Sequence, residues 1–280
     1  MPLPFRLIDV FGQGPFTGNA LAVVHDADGL DADAMQAVAR WLNLSETAFL
    51  LRPTQAAADY RVRIFTLEHE LPFAGHPTLG SAHAWLEAGG RPAKDGAVVQ
   101  ECGAGLVDLR RTDAGLAFAA PPLVRSGPLG EDELAETVRF TGVAAEDVVD
   151  ARWVDNGPGW RALLLRSAEA VLAVEPARDN AGRLKVGLVG PHAAGGDADF
   201  ELRAFFPDAQ GATLEDPVTG SLNASVAQWL FESGRAQGRY RAAQGARLGR
   251  AGRVAVEQAA DGAVWIGGRT ATLFAGETID

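Results

Sequence analysis

The sequence predicts an α+β protein of two pseudo-symmetric halves, in which each half is a β-barrel-like curved sheet around a central buried helix. Three observations carry this prediction. A loop motif recurs in the second half of the chain, strand-like stretches flank both copies in the same order, and an uncharged helical stretch follows each copy. Such self-similarity indicates a duplicated structural unit.

The repeated loop motif occupies residues 70–79 (ELPFAGHPTL) and 215–224 (EDPVTGSLNA). Its Glu, Pro and Gly recur at a constant offset of 145 residues, about half of the 280-residue chain. Upstream, residues 61–65 resemble residues 201–205, and both alternate apolar and polar positions as strands do. Residues 18–24 and 98–103 likewise parallel residues 156–165 and 242–247. Four matches in the same order favour duplication over chance.

One amphipathic helix is expected early in each half. Residues 31–42 carry an apolar stripe at helical spacing, and residues 131–140 combine apolar positions with a charged outer face. We therefore expect the second helix to be the counterpart of the first. The junction of the halves is expected at Pro121 and Pro122, which gives an N-terminal half of residues 1–122 and a C-terminal half of residues 123–280.

The helix that follows each loop motif is expected to be central and buried. Residues 77–86 and 222–231 contain no charged residue and are rich in small side chains. A helix without a polar face is buried on all sides. With glycines as C-terminal stops, the expected central helices are about residues 77–88 and 221–233.

Composition and charge exclude several classes of protein. The net charge is −11 without any basic cluster, so a nucleic acid is an unexpected partner. No apolar stretch reaches the length of a membrane span, and the first residues lack a secretory signal pattern. Cys102 is the single cysteine, which excludes an internal disulfide and a mechanism with two cysteines from one chain. We expect a cytoplasmic enzyme.

The two loop motifs lead into helix N-termini that could bind a carboxylate substrate. Gly75 and His76 open one helix, with Pro77 in its first turn. Gly220 and Ser221 open the other, with Ser221 expected as the N-cap. Unpaired backbone N–H groups at such ends attract anions. Ordinary helix capping explains the same residues equally simply.

Two titratable residues in the first half are candidates for proton transfer. His76 could carry a proton, although it could equally be a capping residue. A metal site with His69 and His83 is disfavoured, because seven-residue spacing separates helical ligands by two turns. Glu46 follows Asn43, the expected end of a helix, and precedes an apolar strand. Partial desolvation would suit its carboxyl group to proton transfer near neutral pH, but a solvated strand-end glutamate remains an alternative.

In the second loop, Asp216 is a weaker candidate, because acidic residues are common just before helices.

The whole chain resembles the PhzF family of phenazine biosynthesis-like isomerases, which share the diaminopimelate epimerase fold. The matching stretches are residues 16–24 (FTGNALAVV), 43–47 (NLSET), 70–80 (ELPFAGHPTLG) and 215–221 (EDPVTGS). They lie in both halves and in the order of the family. The resemblance implies two similar halves with a site in the cleft between them, no cofactor or metal, and a homodimer.

The resemblance also implies roles for individual residues. Glu46 would be the catalytic acid–base, and its catalytic companions would be His76, Asp216 and Ser221. Gly75, Gly220 and Asn19 would bind substrate. Racemases of the wider fold use a cysteine from each loop, but Ala74 and Thr219 occupy those positions here.

The expected activity is therefore cofactor-independent proton relocation on a small carboxylate-bearing substrate, similar to the isomerisation of trans-2,3-dihydro-3-hydroxyanthranilate. An isomerase acting on a different substrate remains open at this point. So do an epimerase-like enzyme that acts on an amino acid without catalytic cysteines and a non-enzymatic small-molecule binding protein.

Overall fold

The computed structural model describes residues 2–278, which divide into two compact units. The first unit combines Met1–Ala119 with Gly267–Asp280, and the second is Ala120–Ile266. The boundary between Ala119 and Ala120 lies next to Pro121 and Pro122. The expected C-terminal half, residues 123–280, differs from the second unit at its end, because the last strand of the chain pairs with the first strand.

The first unit contains nine strands in its described part and two α-helices. The strands are β1 (Pro4–Val10), β2 (Asn19–Val24), β3 (Thr47–Leu51), β4 (Tyr60–Phe65), β5 (Glu70–Leu71), β6 (Ala97–Cys102), β7 (Gly105–Thr112), β8 (Gly115–Ala119) and the C-terminal β18 (Thr270–Glu277). The helices are α1 (Ala32–Leu42), between β2 and β3, and α2 (Gly75–Glu87), between β5 and β6.

Strand pairing in the first unit alternates between antiparallel and parallel. β1 is antiparallel to both β2 and β18, and β2 is parallel to β3. β4 is antiparallel to β3 and β5 and parallel to β6. β7 is antiparallel to both β6 and β8. Helix α2 contacts β1, β2, β3, β4, β6, β8 and β18, so the curved sheet surrounds it as predicted.

The small residues of α2 explain why strands can surround it. A Cβ atom on Gly80 would lie 2.5 Å from Leu21 Cδ2 of β2, which is closer than carbon atoms approach. The helix ends at Glu87, and Gly89, just after its C-cap Ala88, has a φ of 94°, which favours glycine. The expected central helix of about 77–88 is observed two residues earlier at its start, because Gly75 and His76 are already helical.

The second unit repeats this arrangement. Its strands are β9 (Arg125–Pro128), β10 (Val148–Asp155), β11 (Trp160–Leu165), β12 (Lys185–Pro191), β13 (Phe200–Pro207), β14 (Thr213–Glu215), β15 (Arg239–Gln244), β16 (Gly252–Gln258) and the start of β17 (Val264–Gly268). Its helices are α3 (Glu131–Thr141), α4 (Ala168–Ala173) and α5 (Gly220–Glu232). Helix α5 is the expected central helix of about 221–233.

The pairing of the second unit follows the same order as that of the first. β10 is antiparallel to β9 and β11, and β11 is parallel to β12. β13 is antiparallel to β12 and β14 and parallel to β15, and β15 is antiparallel to β16. Both units therefore share one topology, which confirms the predicted pseudo-symmetric fold.

The counterpart of α1 differs from the expectation. We expected residues 131–140 to correspond to it, and this stretch is indeed a helix, α3. However, α3 lies between β9 and β10, whereas α1 lies between β2 and β3. The equivalent position, between β11 and β12, is occupied by α4, a helix of only 6 residues. A helix this short leaves no amphipathic repeat for sequence reasoning to detect.

Within residues 2–278, the helices are all too short or too polar to cross a membrane.

Candidate active site

Glu46 lies at the entrance to a buried strand. Helix α1 ends at Asn43, which adopts the left-handed conformation with φ 55° and donates its N–H to Ala39 O. The chain enters β3 at Thr47, directly after Glu46. The side chain of Glu46 is 18% exposed. Both the predicted helix end and the predicted strand start are confirmed, and the carboxyl group is largely removed from water.

The imidazole of His76 lies beside this carboxyl group. His76 is the second residue of α2 and is 4% exposed. Its Nε2 atom is 3.5 Å from Glu46 Oε2. Burial lowers the pKa of His76 to about 3, because the charged ring would lose its hydration. The contact therefore joins a carboxyl group to a neutral imidazole and is not an ion pair at neutral pH.

Asn19 determines which nitrogen of the ring carries the proton. Asn19 is the first residue of β2, and its Nδ2 lies 3.3 Å from His76 Nδ1. An amide nitrogen can only donate, so Nδ1 accepts. The proton of the neutral ring is then on Nε2, which faces Glu46. Asn19, expected to bind substrate, thus has its amide nitrogen directed at His76.

The N-terminus of α2 offers backbone donors next to this pair. Ala74 is the N-cap, and the first intrahelical hydrogen bond runs from Thr78 N–H to Ala74 O. The N–H groups of Gly75 and His76 consequently have no acceptor within the helix, and Pro77 has no N–H. Together with the positive end of the helix dipole, these two donors suit a carboxylate group.

The second unit has its own group of candidate residues at the start of α5. Asp216 follows β14, and its Oδ2 accepts a hydrogen bond of 2.6 Å from Thr219 Oγ1. Gly220 is the first helical residue. Ser221, expected to be the N-cap, is instead the second helical residue, and Thr219 is the N-cap. The prediction failed because Gly220 already has helical geometry, so the cap lies one residue before it.

The hydroxyl of Ser221 is oriented by a neighbouring strand. Ser221 Oγ accepts a 3.1 Å hydrogen bond from Trp160 Nε1, and Trp160 is the first residue of β11. This is the second-unit equivalent of the contact between Asn19 and His76. In both units, the first residue of a strand donates to the second residue of the central helix. With one lone pair engaged, the Ser221 hydroxyl keeps its proton for donation.

A repeated Arg–Glu pair, which sequence reasoning missed, fixes the position of both loops. Arg63 donates to both carboxylate oxygens of Glu70, at 2.8 and 2.6 Å. Arg203 donates to both oxygens of Glu215, at 2.9 Å each. The glutamates open the two loop motifs. Because both partners recur in the repeat, the matching arginines were a signal that could have predicted these pairs.

The candidate residues thus form one group in each unit. The first unit brings together Glu46, His76, Asn19 and Gly75, and the second brings together Asp216, Gly220 and Ser221. Ala74 and Thr219, which align in the motif, both occupy the N-cap position.

Neither Cys102 nor a metal cluster adds to these groups in the described part of the chain. The thiol of Cys102 is partly buried, and burial raises its pKa, so the reactive thiolate is disfavoured. Across residues 2–278, no three His, Cys, Asp or Glu side chains are grouped as a metal site requires.

Comparison with known proteins adds independent findings. The model of the phenazine biosynthesis-like protein (PhzC-PhzF) family matches residues 8–276. The chain is 34% identical to Antisense-enhancing sequence 1 of Schizosaccharomyces pombe, with 98% of each chain covered. It is 33% identical to the trans-2,3-dihydro-3-hydroxyanthranilate isomerase of Pseudomonas fluorescens, covering 82% of this chain and 81% of that protein.

Solved structures agree with these sequence relatives. A predicted epimerase from Pseudomonas aeruginosa superposes with a TM-score of 0.79 at 31% identity, with 99% of each chain covered. A hydroxyproline epimerase from Agrobacterium vitis gives a TM-score of 0.58 at 15% identity, covering 99% of this chain and 91% of the other. The latter similarity concerns the fold alone.

Proposed function

The chain belongs to the phenazine biosynthesis-like protein (PhzC-PhzF) family and is an isomerase, and we propose that it moves a proton between carbon atoms of a small carboxylate-bearing substrate. The observation that carries this proposal is the 3.5 Å contact between Glu46 Oε2 and Nε2 of the buried His76, whose Nδ1 lies against the Asn19 amide nitrogen. It places a largely desolvated carboxyl group beside a fixed hydrogen-bond donor.

Glu46 is the proton carrier in this proposal. Its carboxylate takes a proton from one substrate carbon, and the electron pair left behind is delocalised into the adjacent unsaturated group. The resulting carboxylic acid returns the proton to a different carbon, so the substrate is rearranged without gain or loss of atoms. One group that first accepts and then donates is sufficient, and the proposed chemistry therefore includes no cofactor.

His76 acts as a donor in this scheme and not as a base. Its Nδ1 already accepts from Asn19, and a pKa of about 3 makes protonation unfavourable at neutral pH. The Nε2–H group can support the carboxylate form of Glu46 or a negative charge that develops on the substrate. This refines the expectation that His76 itself could carry the proton.

The start of each central helix offers groups suited to substrate binding. The N–H groups of Gly75 and Gly220 lie at the starts of their helices, and each suits a carboxylate group. Asp216 offers a carboxyl oxygen as an acceptor, and Ser221 offers its hydroxyl as a donor.

Trans-2,3-dihydro-3-hydroxyanthranilate is the first substrate to test, because relatives carry its name. It bears the expected carboxylate. Turnover in D₂O introduces deuterium at the carbon that receives the proton whenever the Glu46 carboxylic acid exchanges with solvent before it returns the proton. Deuterium at a stereocentre without a shifted double bond would instead favour an epimerase-like reaction. The homodimer and the cytoplasmic location stay predictions.

The test of the catalytic assignment is Glu46→Gln. The amide keeps the size of the side chain but cannot accept and return a proton, so we expect kcat to fall about 100- to 10,000-fold. The rate of product formation, measured by mass spectrometry, reports the proton transfer. Glu68→Gln, at an exposed glutamate of the same unit, is the matched control. An unchanged rate in Glu46→Gln would show that another group carries the proton.

A further inference from the structure

Gln244 connects four groups of the second loop through a single buried amide. Its Oε1 accepts from the Thr219 N–H at 3.0 Å and from Asn223 Nδ2 at 2.9 Å. Its Nε2 donates to Asp216 O at 3.1 Å and to Thr219 Oγ1 at 2.9 Å. The side chain is fully buried at the end of β15. The amide oxygen accepts and the amide nitrogen donates, and all of these bonds go to the loop before α5 or to the start of that helix.

These bonds determine the direction of the next hydrogen bond. Thr219 Oγ1 accepts from Gln244 Nε2, so its own proton is free for Asp216 Oδ2, which lies 2.6 Å away. Asp216 Oδ2 is therefore an acceptor in this arrangement. A short bond from a fixed hydroxyl restricts rotation of the carboxyl group.

The first unit shows that this arrangement is specific to the second. The residue of β6 equivalent to Gln244, by strand register and by the glycine that follows it, is Cys102, which has no amide. Gln100, two residues earlier, is equally buried and also bonds to the fourth residue of its central helix, Thr78. Its Oε1, however, accepts from Tyr60, and it makes no bond to residues 70–75. The equivalent of Thr219 is Ala74, which has no hydroxyl. The first unit therefore has a buried glutamine that bonds to its central helix but lacks the bonds to the loop that Gln244 makes.

We propose that Gln244 and Thr219 are positioning residues, which hold the Asp216 carboxyl group in the orientation needed to bind substrate. Gln244 fixes the backbone of the loop and the direction of the Thr219 hydroxyl, and Thr219 fixes Asp216. This inference rests on the proposed function insofar as Asp216 binds substrate. The hydrogen-bonded clamp itself is independent of the identity of the substrate.

Amide hydrogen exchange tests the clamp without any substrate. In Gln244→Met the acceptor for the Thr219 N–H is lost, and we expect exchange in a peptide covering residues 215–222 to accelerate about tenfold. In Gln100→Met, the matched control, this peptide should exchange as in the wild type. Unchanged exchange in a folded Gln244→Met protein would overturn the proposal.

Thr219 variants keep the test decisive if Gln244→Met does not fold. Thr219→Val has the same shape without the hydroxyl, and Thr219→Ser restores the hydroxyl. We expect faster exchange across residues 215–219 in Thr219→Val and near-wild-type exchange in Thr219→Ser. Equal exchange in the two variants would contradict the role of the hydroxyl.

Turnover of trans-2,3-dihydro-3-hydroxyanthranilate then tests positioning as distinct from folding. A misplaced Asp216 should lower kcat about 10- to 100-fold in Thr219→Val, with Thr219→Ser close to the wild type. Asp216→Asn separates the two hypotheses. If Asp216→Asn is inactive and Thr219→Val is fully active, the positioning role is wrong and the proposed function stands. If Asp216→Asn is fully active, the place of Asp216 in the proposed function is wrong.

Discussion

The two ring nitrogens of His76 have opposite hydrogen-bonding roles. Nδ1 accepts from the Asn19 amide, and Nε2 carries the proton that faces Glu46. Asn19 is therefore expected to act on the carboxyl group indirectly, through the tautomer of the histidine. Residues that orient an imidazole in this way commonly influence its chemistry as strongly as direct contacts do.

The variant Asn19→Asp tests this role of Asn19. A carboxylate accepts where the amide donated, so at pH 8 the proton of the neutral ring should move to Nδ1. Nε2 would then present a lone pair to Glu46, and we expect kcat to fall about 100-fold. The ¹⁵N chemical shifts of the imidazole identify the tautomer. Asn43→Asp, at an exposed helix end, is the control, and an unchanged tautomer in Asn19→Asp would contradict the hydrogen-bond assignment.

At the residue scale, the sequence predicted which secondary-structure element a residue lies in better than which side chains contact each other. Glu46 was predicted between a helix end at Asn43 and a buried strand, because αL residues and apolar runs are local signals. The contact between Glu46 and His76 was not predictable, since it joins residues 30 positions apart in the chain. Ser221 was assigned to the cap because serine is a common N-cap residue. Thr219 is the actual cap, and it makes no side-chain cap bond: its hydroxyl oxygen accepts from Gln244 Nε2 and its proton is donated to Asp216.

At the scale of elements, the Arg–Glu pairs tie each short strand of the loop motif to its neighbour. Arg203 and Glu215 join β13 to β14, and their side chains are only 4% and 11% exposed. Arg203 Nη1 also donates to the carbonyl groups of Val171 and Val174 near α4. The equivalent Arg63 is 20% exposed and its partner Glu70 is 39% exposed. The same ion pair is therefore buried in the second unit and partly exposed to water in the first.

The two pairs should differ strongly in their contribution to stability. Arg203→Met leaves Glu215 and two carbonyl groups without their buried partner, and we expect it to lower the free energy of unfolding by about 3–5 kcal/mol. Arg63→Met exposes Glu70 to water, and a loss of about 0–1 kcal/mol is expected. Urea unfolding of the two variants measures the difference. Equal losses would show that burial does not distinguish the pairs.

Element-level prediction succeeded where the repeat was regular. The strands next to the loops and both central helices followed from matched stretches and from the absence of charge. The pairing of β18 with β1 was not predictable, because strand partners distant in the sequence leave no local pattern. The sequence also predicted α3, and not α4, as the counterpart of α1. An 11-residue amphipathic helix was recognised in preference to a 6-residue helix at the equivalent position.

At the scale of the whole molecule, duplication produced one topology with two different sets of side chains. The first unit combines an acid, a histidine and an asparagine, and the second an acid, a threonine, a serine and a tryptophan. Only the first contains a buried imidazole at the start of its central helix. The two units should therefore differ in how their stability responds to pH.

Buried neutral histidines make the folded state sensitive to acid. Burial lowers the pKa of His76 to about 3, and burial also lowers those of His25 and His83. All three lie in the first unit. Between the unfolded value near 6.5 and the lower folded value, the unfolded chain binds more protons than the folded one. The free energy of unfolding should therefore decrease as the pH falls below about 6.5.

His76 should account for a measurable part of this dependence. From pH 7.5 to pH 5, protonation of His76 in the unfolded state is expected to cost about 2 kcal/mol of stability. His76→Gln removes the titrating group, so its unfolding free energy should vary with pH by that much less than that of the wild type. His69→Gln, at an exposed histidine, should keep the full dependence. Urea unfolding at the two pH values measures all three proteins, and parallel curves for wild type and His76→Gln would show that the imidazole is not neutral in the folded protein.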